Sequence, residues 1–365
     1  MENSNQERII FDGLEYESVL INHIQQANHD IFISCYILEN GEFGKKIIHL
    51  LQEKAQSGVQ ICMVLDGFGS WDWIDSVLPH FDQKNFKIRI FHPIKFKSLN
   101  WNFRKIRKFN QRNHQKLFLF DQKIAILGSR NINDDAIRWR ETSIEIVGKS
   151  VQTLVSVFQM IWKRSHSRIF KRYFPLNESK LTSNMLGSKH VYSNYTFALR
   201  NKTREFIFQK LKGAQKKICI TTPYFYPTQR AMKVLLEKAK AGVSVSVLLP
   251  KESDVVVSKW ISQCHYHSLL KAGVRIFEYT PQILHAKSMV IDDWAMIGSS
   301  NFNRRSILRD IELDYSADQV ETVQSLVDQF RKDTENSKKI DQVPQIGIFQ
   351  RIFVEVVEKF FSSWF

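Results

Sequence analysis

Cysteine is scarce in this chain. Cys35, Cys62, Cys219 and Cys264 are scattered through 365 residues without a C-x-x-C spacing, which argues against a disulfide framework or a zinc ribbon and fits a reducing compartment. Long apolar runs are missing as well. Nowhere do about 18 residues pass without charged or strongly polar groups, so no spanning helix is predicted. The N-terminal residues are polar and acidic, with no apolar stretch behind them, so no signal peptide is expected. Acid is in short supply: 37 Asp and Glu stand against 52 Lys and Arg, a net charge of +15. The partner is therefore expected to be anionic, whether nucleic acid, a membrane surface or a phosphorylated substrate. No paired carboxylates or Cys/His cluster offers a metal site, so neither a catalytic metal nor another cofactor is expected.

What remains is a globular composition, 43% apolar and 24% charged, in a chain long enough for two cores. Helix-like spacing through Val19, Leu20 and Ile24 leads to a strand at Ile31–Leu38. A helix through Ile47, Ile48 and Leu51 stops at Gly58, and Val59–Leu65 reads as a second strand. Strand, helix, strand is a βαβ unit and implies parallel pairing. A helix at Trp73–Phe81, strands at Lys87–Phe91 and Thr142–Val147 and a helix at Val151–Lys163 complete the half. The same order then recurs, with Glu53–Leu65 matched by Glu237–Leu249 and Arg89–Phe91 by Arg275–Phe277. The chain is an internal duplication.

One stretch occurs twice with its polar residues intact. His114-Gln-Lys116, Asp121 and Gly128-Ser129-Arg130-Asn131 correspond to His285-Ala-Lys287, Asp292 and Gly298-Ser299-Ser300-Asn301. In extended chain the His and Lys of each copy share a face. A hairpin turning at Asp121 or Asp292 returns Ser129 and Asn131, or Ser299 and Asn301, beside them. The second hairpin is one residue tighter. Such a group suits phosphodiester chemistry: lysine and asparagine hold phosphate oxygens while a histidine attacks phosphorus or passes a proton. One histidine cannot be nucleophile and leaving-group acid together, which gives the duplication a mechanistic reason to unite both motifs in one site. Glu141 and Glu312 each follow their own motif's histidine by 27 positions. Each is expected to accept a hydrogen bond from that histidine's second ring nitrogen.

The halves differ before the motif: His114 follows Phe91 by 23 positions, whereas His285 follows Phe277 by 8. The extra residues lie in a basic, aromatic, acid-free loop at 92–113, expected to meet an anionic ligand or lipid head groups. The tail from Val343 carries a broad apolar face, suited to packing on the second lobe or to a membrane interface. Cys264-His265-Tyr-His267 is read as helix surface or core edge, and Trp71 and Trp73 as core aromatics.

These residues resemble the phospholipase D superfamily, whose signature is H-x-K-x4-D followed by a Gly-Ser-x-Asn type loop. Within it the chain is similar to bacterial cardiolipin synthases of the phospholipase D type, with support from Leu65-Asp66-Gly67-Phe68-Gly69, Thr222-Pro223-Tyr224-Phe225 and Arg305-Ser306. The resemblance implies an α/β fold of two similar α/β/α lobes, with mixed, largely parallel sheets related by pseudo-twofold symmetry and one active site between them. The expected division is 1–165 for the first lobe, 166–200 for a connection, 201–335 for the second lobe and 336–365 for an amphipathic tail. The resemblance also implies a phosphatidyltransferase condensing two phosphatidylglycerols to cardiolipin and glycerol through a phosphatidyl-histidine. His114 would be nucleophile and His285 acid and base, with Lys116, Lys287, Asn131 and Asn301 on phosphate. Asp121 and Asp292 enter with the catalytic motif, although their parity also suits a structural role in the turn. Ser129 and Ser299 enter with the phosphate-binding loops. The expected partners are anionic phospholipid and a membrane surface, at the cytoplasmic inner face of the cell membrane, with no obligate protein partner. A phosphodiesterase or nuclease using water is the alternative; the basic residues gather in one aromatic-rich loop rather than along a phosphate-backbone track, so nucleic acid is the less favoured partner.

Overall fold

Duplication at the sequence level should give two copies of one arrangement, and it does. A computed structural model describes residues 5–81, 84–94, 110–165, 177–343, 347, 350 and 354. The first half runs β1 (Gln6–Ile10), α1 (Gly13–Gln26), β2 (Asp30–Cys35), α2 (Glu42–Gln56), β3 (Gln60–Asp66), α3 (Trp71–Ser76), β4 (Phe86–Phe91), β5 (Leu117–Phe120), β6 (Ile124–Gly128), α4 (Asp135–Arg138), β7 (Ser143–Val147) and α5 (Ser150–Arg164). Its sheet has the order β1-β7-β6-β5-β2-β3-β4.

The second half opens with α6 (Glu178–Gly187), β8 (Val191–Ser193), α7 (Phe197–Gly213), β9 (Lys217–Thr221), α8 (Gln229–Lys240) and β10 (Ser244–Pro250). It continues with α9 (Val256–Cys264), α10 (Tyr266–Lys271), β11 (Arg275–Tyr279), β12 (Ser288–Ile291), β13 (Trp294–Gly298), α11 (Arg304–Leu308), β14 (Leu313–Ala317), α12 (Val320–Glu335) and β15 (Ser337–Ile340). The strand order is β15-β11-β10-β9-β12-β13-β14-β8.

Local chemistry sets the element ends alike in both halves. Asp12 caps α1 by accepting from Glu15 N, and Thr196 caps α7 by accepting from Leu199 N. Gly58 and Gly242, with φ of 102° and 90°, take the left-handed turn that ends α2 and α8. Each sheet is buried on both faces. Ile31 and Ile33 of β2 face the core under α1 and α2, while Phe32 faces a core that also contains Val290, Ile297 and Tyr315 of the second sheet. Phe158 of α5 stacks on Phe32 with ring centroids 5.0 Å apart. The two sheets thus share one inner core.

Two expectations change. The sheets are mixed, but only β2-β3-β4 and β9-β10-β11 pair in parallel. The remaining pairs are antiparallel, because hairpins join β5 to β6 and β12 to β13, and a tight turn can join only antiparallel strands. Residues 166–200 contain α6 and β8, and β8 pairs with β14 inside the second sheet. Only Leu181 and Met185 of α6 are buried, which is too sparse an apolar pattern to read as a helix. Strand β1, which alternates exposed and half-buried residues, also left no apolar signal. The basic loop falls largely on 95–109, and most of the apolar tail on 344–365; these lie outside the described residues, apart from Gly347, Gln350 and Val354, the last buried with Tyr226 and Ile261.

The turn aspartates belong to the fold rather than to the chemistry. Asp121 accepts backbone N–H groups of Asn28, His29 and Asp30, and Asp292 those of Gln215, Lys216 and Lys217. Burial pushes each carboxyl up, but the three N–H donors outweigh it and leave the net shift downward. Each lies seven positions of near-extended chain from its histidine, on the order of 20 Å, and so cannot reach a shared phosphate. The turns also absorb the hairpin difference. Asp121 and Gln122 have positive φ in a three-residue turn, whereas Asp292 alone does in a two-residue turn. Gly128 pairs with Ser143 and Gly298 with Asp314, so the loops that follow keep equivalent register. Asp121→Ala and Asp292→Ala are each expected to lower unfolding free energy by about 2 kcal/mol, read by urea titration, while folded protein keeps its turnover within a few-fold.

Candidate active site

The site is assembled at the ends of β5 and β12, where each lobe borrows from the other. His114 N donates to Ile311 O and His285 N to Arg140 O, so the residue preceding each glutamate is bonded to the opposite histidine. The consequence corrects the expected pairing within each copy. His114 Nδ1 lies 3.0 Å from Glu312, and His285 Nδ1 lies 2.6 Å from Glu141. The equal 27-residue offset is real, but the partners are exchanged across the lobes. With Nδ1 occupied by a carboxylate, Nε2 is the ring nitrogen left for chemistry.

The lysines are buried beside them. Lys116 Nζ donates to His114 O at 2.8 Å and lies over the Tyr36 ring, 5.2 Å from its centroid. Lys287 Nζ donates to His285 O at 2.7 Å and lies 3.1 Å from His285 Nε2. Burial lowers Lys116 to about 7, reinforced by the charge of Lys287, and burial lowers Lys287 to about 8. The influence of one lysine on the other places both motifs within one electrostatic site. Burial also brings His114 down to about 4, against the pull of Glu312, so it is a neutral imidazole at pH 7. Burial alone would raise Glu141 and Glu312, but the facing histidines and lysines outweigh it and hold both near 2. The result is two buried lysines, charged below about pH 7 and 8, between two fixed carboxylates, a field suited to an anion that spreads charge during reaction.

The loops after β6 and β13 place Asn131 and Asn301 deep in the molecule, both nearly buried. Asn131 Oδ1 accepts from Ile37 N, whereas Asn301 Oδ1 is buried without a partner. A Cβ at Gly128 would collide with Thr142 O and one at Gly298 with Leu313 O, which is why glycine opens each loop. The two serines are spent on the fold, correcting their expected contact with phosphate. Ser129 Oγ donates to Thr142 O and accepts from Thr142 N; Ser299 Oγ donates to Glu312 and accepts from Leu313 N. Their hydroxyls tie each loop to the strand carrying the glutamate.

Several neighbours escaped the motif reading. Tyr36 meets His114 edge-on at 4.9 Å, and Trp139 and Tyr224 approach His285 at 5.5 and 6.3 Å. Tyr224 stood in a stretch already singled out, but Tyr36 and Trp139 lie on loops whose approach no spacing reveals. Buried Asp66 accepts from Asn113 N and Arg112, and Arg305 donates to Asn110 and Asp310. These contacts anchor the chain that enters His114. Among the described residues no three His, Cys, Asp or Glu side chains group as metal ligands, and no helix is long and apolar enough to cross a membrane.

Comparison with known proteins agrees with this geometry. The family described as "Cardiolipin synthase, PLD-like domain" matches residues 20–162 and 207–334, taking in both motifs. A cardiolipin synthase of Halalkalibacterium halodurans is 27% identical over 345 residues, spanning 92% of this chain and 67% of that protein. Cardiolipin synthase 1 of Bacillus cereus is 29% identical over 350 residues, spanning 91% of this chain and 67% of that protein. Among solved structures, the phosphatidylserine synthase of Haemophilus influenzae superposes with a TM-score of 0.72 at 12% identity, covering 98% of this chain and 94% of that one, a likeness of fold. With two His-Lys motifs in one site and a family match across both lobes, the chain belongs to the cardiolipin synthase, PLD-like domain family of the phospholipase D superfamily.

Proposed function

We propose that this enzyme is a phosphatidyltransferase that makes cardiolipin from two molecules of phosphatidylglycerol through a phosphatidyl-histidine. The observation that carries the reading is the exchanged pairing, in which each lobe's glutamate fixes the other lobe's histidine beside a buried lysine. His114, neutral at pH 7, attacks phosphorus through Nε2. The bond to the glycerol oxygen breaks as His285 gives that oxygen a proton, and free glycerol leaves. The hydroxyl of a second phosphatidylglycerol then attacks the same phosphorus, its proton passes to His285, and the P–N bond to His114 breaks. Glu141, 2.6 Å from His285 Nδ1, stabilises the imidazolium that this cycle needs.

Lys116, Lys287, Asn131 and Asn301 hold the non-bridging oxygens and the charge that grows on them in the transition state. Tyr36, Trp139 and Tyr224 wall the histidines and restrict water, which favours transfer to an alcohol over hydrolysis. The substrates are membrane lipids, so the enzyme works at an anionic membrane surface, and the net charge of +15 favours that encounter. The cytoplasmic face is the side consistent with four free cysteines.

Incubation with labelled phosphatidylglycerol is expected to give labelled cardiolipin with the wild type and none with His114→Ala or His285→Ala; normal product from both variants would refute the reading. Rapid quenching followed by peptide mass spectrometry should find the phosphatidyl group on His114, and its recovery on His285 would reverse the roles. Glu141→Gln should slow turnover of phosphatidylglycerol by about two orders of magnitude and affect far less a nitrophenyl phosphodiester, whose leaving group needs no proton. An equal loss on both would argue against acid catalysis by His285. Deprotonation of Lys116 and Lys287 removes phosphate-binding charge, so kcat/KM should fall as pH rises through about 7 to 8. Bound phosphate raises the lysine pKa values, so the matching fall in kcat should come at higher pH. Initial-rate profiles test this, and a flat kcat/KM through that window would contradict it.

A further inference from the structure

The two lobes carry equivalent loops and helices, yet beneath their lysines they are packed differently. The aspartate contacts align the chains: Asn28, His29 and Asp30 beneath Asp121 match Gln215, Lys216 and Lys217 beneath Asp292. On that alignment Tyr16 of α1 corresponds to Thr203 of α7, and in the Gly-Ser-x-Asn loops Arg130 corresponds to Ser300. In the first lobe the large pair fills the layer between helix and sheet. Tyr16 and Arg130 are both about 1% exposed, with the guanidinium 5.1 Å over the ring and bonded to Ala136 O and Phe11 O. In the second lobe the two smaller replacements line that space without filling it. Thr203 Oγ1 donates to Leu199 O on its own helix, and Ser300 Oγ donates to Asp314 at 2.5 Å.

A cavity of about 300 Å³ results, between α7 and the sheet. Ile207, Leu211, Ile220, Met289, Met296 and Phe302 give it apolar walls, and Lys287 and Asn301 are among its polar lining residues. The Asn301 side-chain oxygen, on a residue only 7% exposed, has no hydrogen-bond partner. A buried amide end left unsatisfied is costly unless a polar ligand group meets it. Arg200, Arg204 and Arg230 line the space with Asp314. Arg230 is paired with Glu205, and Arg200 donates to the backbone carbonyls of Ile307, Arg309 and Asp310. With Lys287 the lining keeps an excess of positive charge that favours an anionic amphiphile. The size is at the lower end for a small-molecule site and suits part of a single extended hydrocarbon chain.

We propose that this cavity receives a fatty acyl chain of the phospholipid whose phosphate lies at Lys287 and Asn301. The inference rests on the phosphate-binding role assigned to those two residues under the proposed function. It makes the two lobes unequal in lipid binding: the second lobe grips one acyl chain, and the first, filled by Tyr16 and Arg130, does not. Met289 and Met296, unbranched and adaptable, let the walls follow chains of different shape.

The test uses the full-length protein and n-alkyl phosphates from butyl to decyl, kept below their micelle-forming concentrations, with binding followed by titration calorimetry. Wild-type affinity should tighten about three- to fourfold with each added methylene until the cavity is filled. Thr203→Tyr and Ile207→Trp should bind butyl phosphate as the wild type does and lose the dependence on chain length. Equal affinities for butyl and decyl phosphate in the wild type, or unchanged length dependence in a variant that melts like wild type, would overturn the proposal. Location is read without any variant from a decyl phosphate carrying a terminal diazirine: crosslinks on Leu211, Met289 or Met296 support the cavity, and crosslinks confined elsewhere refute it. Cardiolipin synthesis is assayed in parallel. Absence of product with the chain-length dependence intact would remove the proposed reaction and leave the acyl site standing; product with no chain-length dependence would do the reverse.

Discussion

Each motif histidine is held by a carboxylate from the other lobe, and the rest of the molecule is arranged around that exchange. Glu312 reaches His114 and Glu141 reaches His285 because Ile311 and Arg140, immediately before them, bond to the chain on either side of Asn113 and Leu284, the residues that precede the opposite histidines. Neither lobe alone contains an oriented histidine. Removing one carboxylate would leave a buried imidazole without its tautomer fixed and a neighbouring lysine without its counter-charge. The shared core between the sheets therefore has a chemical consequence as well as a stabilising one: it sets the distance across which two half-sites become one.

Burial gives the site its charge pattern. Lys116 and Lys287 are each about 2% exposed, burial brings both protons closer to release near neutral pH, and the charge of Lys287 adds to the effect on Lys116. Glu141 and Glu312 offset part of that cost, as do the backbone oxygens of His114 and His285 that accept from the two ammonium groups. An arriving phosphodiester would complete the neutralisation. The same groups thus cost stability in the empty site and gain interaction energy from an anion, most of all from one that gathers charge as it reacts.

Duplication also shows what each half could change without losing the other. The one-residue difference between the hairpins stays in the turns, where positive φ at Asp121, Gln122 and Asp292 accommodates either length, and the pairing of Gly128 and Gly298 is untouched. The layer under the lysines has diverged much more: Tyr16 and Arg130 pack it in one lobe, and Thr203 and Ser300 leave it open in the other. Backbone register at the strands that carry the His-Lys motifs is constrained by both lobes together, whereas side-chain volume beneath them answers only to its own lobe.

The amino-acid sequence by itself determined the duplication, the strand and helix order of each half, and the two His-Lys motifs, since all of these are carried by short-range spacing and apolar periodicity. It also marked Glu141 and Glu312 through their common offset. Polar α6, edge strand β1 and the antiparallel majority of strand pairs were less legible, because a sparsely buried element leaves little periodicity and pairing direction depends on how the strands return. Only the tertiary structure decided which glutamate serves which histidine, that Ser129 and Ser299 are consumed by the loops, and that Tyr36 and Trp139 stand against the imidazoles. The physical reason is common to these: local spacing fixes which way a side chain points within its own strand, but its partner across the interface is chosen by the closure of one lobe on the other.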